Sequence, residues 1–127
     1  MSLGMYFWKS AFFILTLPVS RRVFGWFWTR MNEYLPVHYL RETETLVAFY
    51  HPRPAYPVHI LLVPRRSISS MKGLSEADHQ FLVDVFACVN SLVDEFGLEA
   101  KGYRLITNGG VYQDLPQLHF HLISEAT

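Results

Sequence analysis

The sequence predicts an α+β fold: a mostly antiparallel sheet of about five strands crossed by one long helix, preceded by an aromatic-rich helical extension. Three observations carry this prediction. Residues 35–127 contain short segments of strand character separated by proline and glycine. The same region contains one extended stretch of helical period, between Ser75 and Gly97. Half of the aromatic residues, with Trp8, Trp26 and Trp28 among them, fall instead between Tyr6 and Tyr34. The chain therefore divides into an extension, residues 1–34, and a folded domain, residues 35–127.

Within the extension, the uncharged run from Ser10 to Ser20 lies between Lys9 and Arg21 and is interrupted by Pro18. A bilayer-spanning helix needs roughly 20 apolar residues, so this run is too short to cross. Two short helices separated near Pro18 are expected, with Ser20 capping the second. Phe24, Phe27, Trp28 and Met31 then share one helical face. That face packs on the domain or on a second copy, or it settles into a membrane interface through residues 5–31. A cytoplasmic protein with membrane association is the matching location.

In the domain, Val37 to Arg41 and Thr45 to Tyr50 read as a hairpin turning at Glu42–Glu44. Pro52, Pro54 and Pro57 enforce a non-helical link, because proline lacks an amide hydrogen and restricts its predecessor. Val58 to Val63 is a third strand, apolar except for His59, and Pro64 to Gly73 is a loop. Arg65 and Arg66 in that loop read as a solvated pair. Ser75 with Asp78 three residues later resembles a capping arrangement. Phe81, Leu82, Val85, Phe86, Val89, Leu92, Val93 and Phe96 form one apolar stripe, and Gly97 is a suitable stop. Tyr103 to Thr107 is a fourth strand, and Asn108-Gly109-Gly110 leads toward a fifth, Pro116 to Ile123.

Composition excludes several classes of function. With 11 Lys+Arg against 11 Asp+Glu there is no broad basic surface, so nucleic acid is not an expected partner. Single Cys88 rules out an internal disulfide and a multi-cysteine zinc site, and among Phe86, Ala87 and Val89 it reads as a small buried hydrophobe.

The last strand carries the chemistry. In Gln117-Leu118-His119-Phe120-His121-Leu122, polar and apolar residues alternate. Alternation sets Leu118, Phe120 and Leu122 toward the helix and Gln117, His119 and His121 on the other face, roughly 6.5–7 Å between neighbours. A neutral imidazole is a competent nucleophile toward phosphorus at pH 7, and a second one at i+2 can donate to a phosphate oxygen. The rival is a metal ion shared by His119, His121 and a third ligand such as His59; no cysteine or nearby carboxylate completes that set, and no metal or other cofactor is expected.

This strand resembles the signature of the histidine triad (HIT) family, His-φ-His-φ-His-φ-φ, with Gln117 at the first histidine position. Leu46-Val47-Ala48-Phe49, and Pro57-Val58-His59-Ile60-Leu61-Leu62-Val63-Pro64-Arg65-Arg66 with Ile68-Ser69, resemble the family's central block. The helix, Gly102-Tyr103-Arg104, Asn108 and Gln113 follow in the family's order, and the likeness spans residues 35–124. The resemblance implies a HIT-like fold for residues 35–127. It also implies a hydrolase or nucleotidyl transferase acting on a phosphoramidate, dinucleoside polyphosphate or related nucleotide conjugate. His119 then matches the residue that takes up the nucleotidyl group, and His121 the one that contacts phosphate. His59, Asn108 and Gln113 match residues around the same site. Family members work without a catalytic metal as a rule, and many are homodimers. A HIT-fold protein that binds a nucleotide or a partner with little turnover is the alternative.

The departures from the pattern are specific. Gln117 cannot be protonated near neutral pH, so part of the proton relay is missing. His51 stands where many members have an aspartate that binds ribose hydroxyls, and Asp114 where serine or threonine usually approaches the phosphate. Tyr112 replaces a glycine before Gln113, and the 108–113 loop is two residues shorter.

Overall fold

The computed structural model describes residues 38–126, so the extension read at residues 1–34 lies outside the described residues. Five strands form one antiparallel sheet: β1 (Arg41–Glu42), β2 (Leu46–Tyr50), β3 (Val58–Pro64), β4 (Arg104–Ile106) and β5 (Phe120–Ser124). Their spatial order is β1-β2-β3-β5-β4, so the last strand inserts between β3 and β4. Helix α1 (His79–Glu95) lies across one face, and a short α2 (Leu98–Lys101) follows it. The expected α+β architecture is the one observed.

Local sequence explains the helix boundaries. Ser75 and Asp78 form the reciprocal cap: the Asp78 carboxylate accepts from the Ser75 amide, and the Ser75 hydroxyl accepts from backbone amides ahead of it. This cap opens a tight turn, Glu76–Asp78, so regular α-helix begins at His79. At the far end Gly97 takes φ +64°, a left-handed conformation in which a side chain is strained. Phe81, Val85, Cys88, Val89 and Leu92 then pack onto Leu46, Ala48, Ile60, Leu62, Leu118, Phe120 and Leu122. Full burial of each large apolar side chain contributes about 1.5–3 kcal/mol. Phe86 is the exception to the expected stripe: it is 62% exposed on the outer side of α1.

Strands β2 and β3 are buried on both faces. Val47, Phe49, Leu61 and Val63, which alternate with the helix-facing residues, are at most 3% exposed. The near-continuous apolar runs of β2 and β3 fit that double burial. Arg65 and Arg66 are not merely solvated. Arg65 pairs with Glu42 at 2.9 Å and Arg66 with Asp78 at 2.7 Å, fastening the loop after β3.

Two strand boundaries depart from the sequence reading. Strand β1 is Arg41–Glu42, so residues 38–40 of the expected segment precede it, and Val37 lies outside the described residues. Strand β5 starts at Phe120, because Leu118 donates its amide to Ile68 O at 2.6 Å and thereby binds the loop after β3. Gln117 and His119 thus stand on the approach to β5 and His121 within it.

Candidate active site

Sheet register brings the histidines together. On β3 and β5, His59 lies opposite Ile123 and Leu61 opposite His121, which makes His59 and His121 diagonal neighbours on the face away from α1. His51 follows β2 directly, and its amide donates to His59 O at 2.8 Å, continuing the ladder one residue. Its ring stacks on that of His59, with centroids 4.3 Å apart and planes 30° from parallel. The His121 ring lies 5.2 Å from that of His59 and 4.9 Å from that of His119.

Backbone groups fix where each hydrogen sits. The Ala55 amide donates to His59 Nδ1 at 3.1 Å, so the hydrogen of neutral His59 is on Nε2. That Nε2–H donates to His121 Nδ1 at 2.9 Å, which leaves the hydrogen of His121 on Nε2. On the other branch, His119 Nδ1–H donates to Gln117 O at 2.7 Å, so Nε2 of His119 carries a lone pair. The His119 carbonyl in turn accepts from the Thr107 hydroxyl at 2.8 Å. One nucleophilic nitrogen and one adjacent donor therefore follow from the hydrogen-bond pattern alone.

Electrostatics keep the rings neutral. Burial, then the neighbouring charges of His119, His59 and His51, push His121 down to about 3. His51 falls to about 4 through burial, then His59, His119 and Arg53. His59 is lowered by burial and by His119. His119 is lowered by burial, opposed by its bond to the Gln117 carbonyl and by the Asp114 carboxylate. A group of imidazoles this close cannot hold several protons at once.

The remaining expected residues take different positions. Gln117 is 2% exposed, and its side chain reaches Arg66 O at a long 3.4 Å while Oε1 has no hydrogen-bond partner among the described residues. Its contact with His119 runs through the main-chain carbonyl, which a histidine would also supply. Gln113 spends its amide on Ser69 O and Leu115 O, at 2.6 and 2.8 Å, bracing the loop ahead of His119. Asn108 is half-buried and follows Thr107, whose hydroxyl donates to the main-chain carbonyl of His119. Asp114 is exposed and acts on His119 through its charge. Sequence reasoning missed Thr107 and the amides of Arg53 and Ala55; main-chain donors carry no residue-type signal.

A nitrogen from each of His51, His59 and His121 lies within 4.8 Å of the others, a spacing open to a metal ion. The surrounding hydrogen bonds oppose one. A metal-bound imidazole ordinarily donates from its second nitrogen, whereas His51 and His59 both accept there, from Arg53 and Ala55.

Comparison with known proteins identifies the family of the fold that carries these residues. The family model described as the HIT domain matches residues 33–127. The chain belongs to the HIT family. An uncharacterized HIT-like protein of Helicobacter pylori is 30% identical over 92 residues, covering 71% of this chain and 86% of that protein. One from Rickettsia prowazekii is 34% identical over 92 residues, 70% of this chain and 77% of its own. Among solved structures, a HIT family hydrolase from Clostridium thermocellum is 35% identical with a TM-score of 0.69, covering 79% of this chain and 89% of that one. This HIT protein thus has the family's sheet and helix, with glutamine at the first signature position.

Proposed function

We propose that this protein is a hydrolase or nucleotidyl transferase that acts on a nucleoside phosphoramidate, dinucleoside polyphosphate or related conjugate through a nucleotidyl-histidine intermediate. The observation that carries the reading is the bond from His119 Nδ1–H to Gln117 O, which turns the Nε2 lone pair into the reactive one. Nε2 attacks the α-phosphorus. A P–N bond forms as the bond to the leaving group breaks, and the leaving group departs with that electron pair and takes a proton from water. The imidazole, now carrying phosphorus on Nε2 and hydrogen on Nδ1, is cationic, and the Gln117 carbonyl and the Asp114 charge favour that state. Water then attacks phosphorus, the P–N bond breaks, and His119 regains its lone pair as the nucleoside monophosphate leaves.

His121 supports both steps by donating Nε2–H to a non-bridging oxygen as charge grows there. His59 acts through His121 and not on the substrate, by holding that hydrogen in place. Gln117 supplies no proton to the leaving group, which favours substrates whose leaving group needs little acid assistance. The same feature favours the second reading, nucleotide binding with slow turnover. Hydrolysis of an adenosine monophosphate phosphoramidate by the wild type and by His119→Ala separates the two. Loss of at least about a hundredfold is expected for removal of the nucleophile. Equal slow turnover by both proteins would end the assignment.

A further inference from the structure

We propose that Thr107 is a positioning residue for the nucleophile: its hydroxyl takes the place of a ladder amide at His119 O and so holds the His119 peptide where the ring meets Gln117 O. This rests on the reading of His119 as the attacking group and deepens it.

Strand pairing sets the positions. In an antiparallel sheet the main-chain groups of successive residues point alternately to the two neighbouring strands. At the approach to β5 the Leu118 amide points to the β3 side, where it donates to Ile68 O at 2.6 Å. The His119 carbonyl points the other way, toward the end of β4. Register pairs Ile106 with His121, so Asn108 would stand opposite His119 if the ladder ran on. Strand β4 ends at Ile106 instead, and the chain turns through Asn108-Gly109-Gly110, with Gly110 at φ +60°. The donor that reaches His119 O is the Thr107 side chain, at 2.8 Å.

The same alternation makes Gln117 O the next carbonyl due to face β4. That strand has ended by then, and the His119 ring supplies the donor from Nδ1 at 2.7 Å. Two successive carbonyls on one side are thus satisfied by side chains, the first by a hydroxyl and the second by the imidazole of the nucleophile. A longer β4 would give both carbonyls main-chain partners and would take Gln117 O from the ring. A residue without a donor at 107 has the reverse fault. The carbonyl of half-buried His119 must then find another partner, its peptide rotates to do so, and the ring follows. In this role Thr107 acts through the His119 main chain and not on the substrate.

The experiment compares the full chain with three variants. Thr107→Val keeps the branched shape without the donor, and Thr107→Ala removes the donor with a smaller side chain, so the comparison does not depend on valine fitting a half-buried position. Thr107→Ser keeps the donor. Tm, the nitrogen NMR of labelled His119 and phosphoramidate kinetics are read for each. The two donor-free variants are expected to move part of the His119 hydrogen from Nδ1 to Nε2. They are also expected to lower kcat by about tenfold, the scale of one neutral hydrogen bond, with KM within about threefold. Thr107→Ser is expected to keep the wild-type His119 spectrum and a kcat within about threefold of wild type. A merely structural hydroxyl would lower Tm in the donor-free variants and leave the His119 tautomer and kcat unchanged, which overturns the inference. Thr107→Ser as impaired as Thr107→Val overturns it too. The spectra need no substrate, so the two readings fail separately. Turnover unaffected by His119→Ala would remove the nucleophile reading, whereas an unaltered His119 spectrum in the donor-free variants removes only the role of Thr107.

Discussion

Replacing His59 by phenylalanine keeps a ring against His51 and Tyr56, whose centroids lie 4.3 and 5.4 Å from that of His59, but deletes both nitrogens. Two partners then change. Ala55 is exposed, so water replaces the acceptor that its amide loses. His121 Nδ1 loses its donor in a half-buried position. Leaving such a group unsatisfied costs about 1–3 kcal/mol. Each kcal/mol corresponds to roughly 4–8 °C in Tm for a domain of this size. The catalytic consequence follows from the tautomer. Without the His59 donor, His121 is free to carry its hydrogen on Nδ1, where it no longer points at the phosphate. Misalignment of one oxyanion donor is expected to lower kcat by about ten- to a hundredfold, with KM moving much less. The assays are phosphoramidate kinetics and nitrogen NMR of labelled imidazole, which reports which His121 nitrogen bears hydrogen. Unchanged kcat together with an unchanged His121 tautomer in His59→Phe would refute the relay from Ala55 through His59 to His121.

Gln117→Ala is expected to change kcat/KM by less than about threefold, since the carbonyl that orients His119 remains; a loss near that of His119→Ala would show the side chain to be essential. The pH dependence follows from the depressed imidazoles. Folding leaves His51 and His121 less able to take a proton than the unfolded chain, whose histidines titrate near 6.5. Their contribution to stability is full above pH 6.5 and is lost as pH falls toward about 4 and about 3 respectively. Denaturant midpoints should decline across that window, and a flat profile there would contradict the burial of the cluster. Turnover should hold below pH 6.5, because His119 is also lowered; a rate profile falling with a midpoint at or above 6.5 would oppose this. For the aromatic extension, vesicle co-sedimentation of the full chain should exceed that of a form lacking residues 1–32, and equal partitioning would discard membrane contact.

What was legible in the sequence is what side-chain type and period encode. Alternation along 117–122 put Leu118, Phe120 and Leu122 toward the helix, and Ser75 with Asp78 marked the cap. That alternation set His119 and His121 on one face, and the resemblance to the family put His59 beside them. The start of β5 was not legible, because it depends on the Leu118 amide choosing Ile68 O, a long-range main-chain bond with no side-chain signature. Helix α2 is only Leu98–Lys101, too short for period to announce it. Phe86 fell on the apolar stripe by spacing, yet α1 turns it outward past the edge of the core.

The division matters most at the site. Residue types marked four imidazoles, and an imidazole has two nitrogens that play opposite roles. Which nitrogen carries the hydrogen and which the lone pair is decided by the Gln117 carbonyl and by the Ala55 and Arg53 amides. Substitutions at those three positions preserve the main-chain group, except that proline at 53 or 55 removes the amide hydrogen. The replacement of the first signature histidine by Gln117 is therefore compatible with an oriented nucleophile, although it removes a titratable group.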